Sequence, residues 1–247
     1  MRPASVGFHC PQCAKSGAQK VVRPRDLSKW PVVVQTIMGI CVLAFLAQML
    51  TNDAVTRDGW LWGPAVASGE WWRIITSGFL HGSLLHIGFN MYALYLFGEV
   101  LEPSIGRLRF VLVYAGGLVG GSLAVLAFNF PQATLGASGA VLGLAGAMAG
   151  ILAAQGRSIF QTGLGGIFLI NLLLPLLPGV GISFWGHFGG IAGGFLVGGV
   201  LTAAHRTFAS DPKVMRMATG MAAALVVAMF VAAVAVARAG GIVAINI

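Results

Sequence analysis

The chain has 247 residues, of which 57% are hydrophobic and 9% charged, where an ordinary soluble domain carries about 25% charge. That balance excludes a water-soluble globule: the uncharged runs, about twenty residues long, can each cross a hydrocarbon core of about 30 Å as a helix. The net charge of +8 comes from basic residues bordering those runs, with no basic face interleaved with aromatics, so nucleic acid is excluded as a partner. Three cysteines, two of them in one local pair, give no disulfide framework and fit a reducing cytoplasmic side.

Residues 1–31 form a polar N-terminal segment. Within it, His9-Cys10-Pro11-Gln12-Cys13 holds one C-x-x-C. A structural zinc site takes four ligands, so Cys10 and Cys13 make half of one, and no metal is expected in an active site. Seven apolar spans follow: Val32 to Leu50, His81 to Leu101, Leu108 to Phe128, Gly136 to Ala154, Phe160 to Leu177, Phe184 to Ala204 and Met217 to Ala237. Each is predicted helical, because a lipid-facing segment must satisfy its backbone internally and no alternating barrel pattern is present. The first span lies behind the polar segment and lacks a small-residue cleavage site, so it is not a cleavable signal. The connection between spans one and two, about thirty residues, is long for a bundle and shows no helical pattern, which marks a functional loop. Its Trp60, Trp62, Trp71 and Trp72 suit a membrane interface.

Lysines and arginines outside the spans orient the chain. Arg2, Lys15, Lys20, Arg23, Arg25, Lys29, Arg107, Arg109, Arg157, Arg206, Lys213 and Arg216 fall on one face, and only Arg57, Arg73 and Arg238 on the other. The positive-inside bias predicts a multi-pass protein of the plasma membrane with a cytoplasmic N-terminus and an outer C-terminus.

Intramembrane polar groups are costly, so they point to function. Every Asp and Lys lies outside the spans, and only Glu99 and Glu102 approach one. An aspartyl dyad, a Ser-Lys pair, an H-E-x-x-H zinc site and a carboxylate-driven transporter are all unsupported by that inventory. What remains converges at one depth. Spans two, four and six descend from the outer face and carry, in their first turns, His81, His86 and Asn90; Ser138; and His187.

A serine hydroxyl needs a base, and His187 can serve if spans four and six pack closely. Gly139, Gly143, Gly146 and Gly150 on one, and Gly186, Gly190, Gly194 and Gly198 on the other, form small ridges that allow this. With no acid nearby, the pair is a dyad. His86, Asn90 and the Ser138 N–H are suitable donors to a developing oxyanion, the first two stacked on one helix face. Each residue also has a plainer role. Ser138 fits a helix interface by size, His86, Asn90 and His187 could be interhelical hydrogen-bond partners, His81 suits loop backbone, Asn171 ahead of Pro175 satisfies backbone locally, and Cys41 is apolar filler.

Taken together, Glu70-Trp71-Trp72-Arg73, His81-x4-His86-x3-Asn90, Gly136-Ala137-Ser138-Gly139 and His187-x2-Gly190-x3-Gly194 resemble the rhomboid family of intramembrane serine proteases, over Val32 to Ala204. The resemblance implies an all-α polytopic helix bundle: a six-span core at 32–204, then a linker, seventh span and short tail at 205–247. It implies Ser138 as nucleophile, His187 as base, and His86, Asn90 and the Ser138 N–H as oxyanion hole. It further implies Trp72 and Arg73 in a membrane-embedded, substrate-facing loop, and Gly136, Gly139, Gly190 and Gly194 in close helix packing. No cofactor is implied, and the partners are the lipid bilayer and single-span membrane protein substrates. Leu142 departs from the pattern, since many bacterial relatives carry Tyr there, beneath the imidazole. Residues 1–15 resemble the end of a zinc-binding module that precedes some actinobacterial rhomboids, so a longer gene is expected. A catalytically silent rhomboid-like scaffold and a small-solute transporter are the competing functions. The first is disfavoured by retention of both Ser138 and His187, the second by the lack of intramembrane charge.

Overall fold

The computed structural model describes residues 2–3, 8–9, 31–176, 182–208 and 211–240. The chain divides into two compact units, Met1–Trp30 and Pro31–Ile247. In the first, β1 (Arg2–Pro3) and β2 (Phe8–His9) pair antiparallel, Arg2 opposite His9. Cys10 and Cys13 lie outside the described residues. Among the described residues no group of three or more His, Cys, Asp or Glu could hold a metal ion.

The second unit is all-α. Its long helices are α1 (Val32–Leu50), α5 (Leu84–Ile105), α6 (Arg107–Phe128), α7 (Ser138–Ala154), α9 (Phe184–Phe208) and α10 (Pro212–Arg238). Three short helices, α2 (Ala54–Gly59), α3 (Gly63–Ala67) and α4 (Arg73–Thr76), lie between α1 and α5, and α8 (Gly165–Leu173) lies between α7 and α9. Among the described residues five helices, α1, α5, α6, α9 and α10, are long and apolar enough to cross a membrane, and this is a multi-pass membrane protein. α7, at 17 residues, is shorter. It is surrounded by α5, α6 and α9 and buried from Ala140 to Met148, so its surroundings are protein, whereas α1 exposes Leu43 and Leu50 on a face suited to lipid.

Two expectations are corrected. Phe160 to Leu177 is not one helix: it breaks into a 3₁₀ turn at Ile159–Gln161, α8, and a second 3₁₀ turn at Leu174–Leu176. Gly163, Gly165 and Gly166 weaken its start, and Pro175 stops the helical ladder. Residue 177 lies outside the described residues. The connection between spans one and two is also not irregular, being built of α2, α3, α4 and a 3₁₀ turn at Ser77–Phe79. Its helices are too short for periodicity to reveal and are held by bonds both within the connection and from outside it. Thr76 Oγ1 donates to the Gly59 carbonyl at 2.7 Å, Ser122 Oγ to the Ile74 carbonyl at 3.1 Å, and Leu61 and Thr134 exchange two backbone hydrogen bonds.

The centre of the bundle is a glycine seam. A Cβ on Gly139 would meet the Gly186 carbonyl at 3.0 Å, and one on Gly143 the Gly190 carbonyl at 3.0 Å; Gly190 itself abuts Gly139, and Gly194 abuts Gly143. Contacts this close exclude any side chain, so the backbones of α7 and α9 touch.

Candidate active site

Ser138 is the first residue of α7. Its peptide N–H is among those that have no intrahelical acceptor, at the positive end of the helix dipole. The chain enters through Gly136, whose φ of +132° disfavours any residue with a side chain and whose N–H donates to the Ser77 carbonyl at 2.9 Å. A Cβ on Gly136 would lie 2.9 Å from His86 Nε2 and 3.7 Å from Ser138 Oγ. The imidazole and the hydroxyl therefore border the same small space.

His86 takes its tautomer from the backbone. Its Nδ1 accepts a long hydrogen bond from the Gly82 N–H, at 3.4 Å, so in the neutral ring Nε2 carries the proton and acts as donor toward the Gly136–Ser138 corner. His81 packs edge-on against His86 with ring centroids 5.2 Å apart. The His81 ring is buried beside the Phe79 main chain, and the His81 main chain is held by Gln48. A cavity of about 680 Å³ reaches His81 and Gly82 between α1 and α2.

Asn90 is buried one turn below His86, and its Nδ2 donates to the His86 carbonyl at 2.9 Å. One of its two amide protons is thus committed to its own helix, which leaves the other as a donor.

His187 lies on α9 and is 3% exposed. Its Nδ1 is 2.7 Å from the Asn171 carbonyl oxygen. A carbonyl only accepts, so Nδ1 is protonated and Nε2 presents a lone pair. Nε2 is buried and makes no hydrogen bond. The helices of Ser138 and His187 touch, as the glycine ridges predict, but their side chains are not hydrogen-bonded to each other in this structure. Such bonds are often long without substrate and tighten in the Michaelis complex. Leu142, the departure noted in the sequence, is buried on α7.

Trp72 is exposed on the loop, as is Trp71 beside it. Arg73 is not: its guanidinium forms a salt bridge to Glu70 at 2.6 Å and donates to the carbonyls of Arg57 at 2.7 Å and Trp60 at 3.1 Å. It fastens the loop internally.

Trp72 and Arg73 of the loop, the two polar residues on α5, the serine at the head of α7 and the histidine on α9 all lie within a stretch that matches known proteins. The Rhomboid domain family model matches residues 68–204, more than half of the chain. The chain belongs to the rhomboid family. This rhomboid is 35% identical over 139 residues to Rhomboid protease GluP of Bacillus subtilis (strain 168), covering 55% of the chain and 27% of GluP. It is 35% identical over 152 residues to YdcA of the same strain, covering 60% of the chain and 74% of YdcA. It is 36% identical over 146 residues to RHOMBOID-like protein 6, mitochondrial, of Arabidopsis thaliana, covering 57% of the chain and 47% of that protein. The chain thus spans about a quarter of GluP and about half of the plant protein.

Three contributors escaped the sequence reading. Gly116, Gly117, Gly120 and Gly121 of α6 extend the glycine seam: a Cβ on Gly117 would lie 2.9 Å from Gly143 Cα, and one on Gly121 2.7 Å from the Gly186 carbonyl. Their pairing at a four-residue interval was the available signal. Gln48, polar within the first apolar run, was another. The Asn171 carbonyl carried no signal by side-chain type, because main-chain groups are common to every residue.

Proposed function

We propose that this rhomboid is an active serine endopeptidase of the plasma membrane, N-terminus in the cytoplasm, that cleaves peptide bonds in or beside the transmembrane segments of single-span proteins. The observation that carries this reading is the lone pair on His187 Nε2, unclaimed on a helix in backbone contact with the one that begins at Ser138.

In this reading Ser138 Oγ attacks the scissile carbonyl as His187 Nε2 takes its proton, and the oxyanion is met by His86 Nε2–H, the second amide proton of Asn90 and the Ser138 N–H. Collapse breaks the C–N bond, with the imidazolium returning its proton to the leaving amine, and water then hydrolyses the acyl-enzyme by the same base. A substrate peptide bond must leave its helix first, because helical carbonyls are shielded and already hydrogen-bonded. Trp72, exposed on the loop, is positioned for substrate or lipid contact.

The test is cleavage of a generic single-span substrate by purified protein in detergent, with fluorophosphonate labelling in parallel. Ser138→Ala and His187→Ala are each expected to lose both signals with the fold retained. Full cleavage by either variant rejects the dyad, and a wild type that neither cleaves nor labels favours the scaffold.

A further inference from the structure

The carbonyl that holds His187 is available for a local reason. α8 closes its helical ladder with Leu174 N–H donating to the Ile170 carbonyl. The next bond would run from residue 175 to the Asn171 carbonyl, but residue 175 is proline and has no N–H. The chain then tightens into the 3₁₀ turn Leu174–Leu176. The Asn171 carboxamide does not compete for its own carbonyl, since its Nδ2 donates back to the Ile167 carbonyl at 2.9 Å. The Asn171 carbonyl is therefore left without its helical donor, and His187 Nδ1, sixteen residues on, takes the vacant place at 2.7 Å.

We propose that Pro175 is a positioning residue: by withholding an N–H it frees the Asn171 carbonyl to fix His187 as the Nδ1–H tautomer, with Nε2 as acceptor. This does for the imidazole what the buried carboxylate of a catalytic triad does, setting tautomer and ring direction without placing a charge in the membrane. The buried, unbonded state of Nε2 fits the same assignment. It rests on the reading of His187 as the base, and it explains how a dyad lacking an acid keeps its base in the correct form. Free histidine in water prefers the opposite tautomer, so the effect is measurable.

The experiment is ¹⁵N NMR of ring-labelled histidine in the detergent-solubilised full chain, at a pH where imidazoles are neutral, with His187 assigned by its disappearance in His187→Ala. The wild type is expected to show a protonated Nδ1 and an unprotonated Nε2. In Pro175→Ala the returned N–H competes for the Asn171 carbonyl. The His187 signals should then move toward the opposite tautomer and kcat should fall at least about tenfold with KM unchanged, a partial loss of the about 10²–10⁴-fold that a general base contributes. A merely structural proline would leave both the ring signals and kcat in place. A protonated Nε2 in the wild type overturns the proposal, as does Pro175→Ala with unaltered ring signals. The wild-type tautomer needs no Pro175 variant to fold, only the His187→Ala spectrum for assignment, and it is decided even in a chain that cleaves nothing, so its failure is separate from that of the dyad.

Discussion

Gln48 grips the main chain of His81 with both ends of its carboxamide: Oε1 accepts the His81 N–H at 3.0 Å and Nε2 donates to the His81 carbonyl at 3.1 Å. Nε2 also donates to Thr56 Oγ1 at 2.8 Å. The C-terminal end of α1, the loop helix α2 and the approach to α5 are thereby joined at one buried amide, and the His81 ring it carries packs against His86.

Gln48→Leu keeps the bulk and removes the bonding. Both backbone groups of His81 are left unpaired, and each such group costs about 1–3 kcal/mol when buried. A lower melting temperature in detergent is expected, together with reduced kcat as His86 loses its backing. An unshifted melting curve would show that water replaces the amide.

Asn90→Ala should lower kcat by about 10²–10³ if the free amide proton meets the oxyanion, with little change in KM, since the interaction forms only as charge develops. Because the other proton holds the His86 carbonyl, a small loss of thermal stability should accompany it. Unaltered kcat removes Asn90 from the hole.

The glycine seam predicts opposite outcomes for like substitutions. Gly194→Ala drives a methyl into the Gly143 backbone and is expected to cost about 1–3 kcal/mol, as overpacking does. Gly199→Ala, with nothing within 4 Å, is expected to be neutral or to stabilise by about 0.5–1 kcal/mol through helix propensity. Equal melting temperatures for the two would contradict backbone contact between α7 and α9.

Glu102 belongs to α5 yet caps α1. Its Oε1 accepts the Val33 N–H at 3.1 Å and its Oε2 the Val34 N–H at 3.0 Å, filling two of the places that the start of α1 leaves open. Glu102→Gln turns one acceptor into a donor facing a donor, and a loss of about 1–2 kcal/mol is expected by analogy with removing a cap. Denaturation in mixed micelles measures it, and unchanged stability would show that the cap is dispensable.

Much of this molecule was readable from order and type of residue. Spans are set by hydrocarbon thickness and by the cost of an unpaired backbone in lipid, both local constraints, so the apolar runs other than Phe160 to Leu177 appear as long helices near where composition placed them, with α9 carried on to Phe208. The glycine ridges of α7 and α9 were readable because an interval of four fixes a helix face, and the face fixes the seam. The break at Pro175 was visible as a proline, but its consequence was not.

What only the tertiary structure decided are bonds between groups far apart in the chain. Glu102 reaches Val34 across 68 positions and Gln48 reaches His81 across 33. No local periodicity records such pairings, because they depend on how finished helices are laid side by side. The same holds for His187. Residue type makes it a potential acid, base or donor, but which nitrogen keeps the proton follows from the carbonyl, sixteen residues away, that folding brings against the ring.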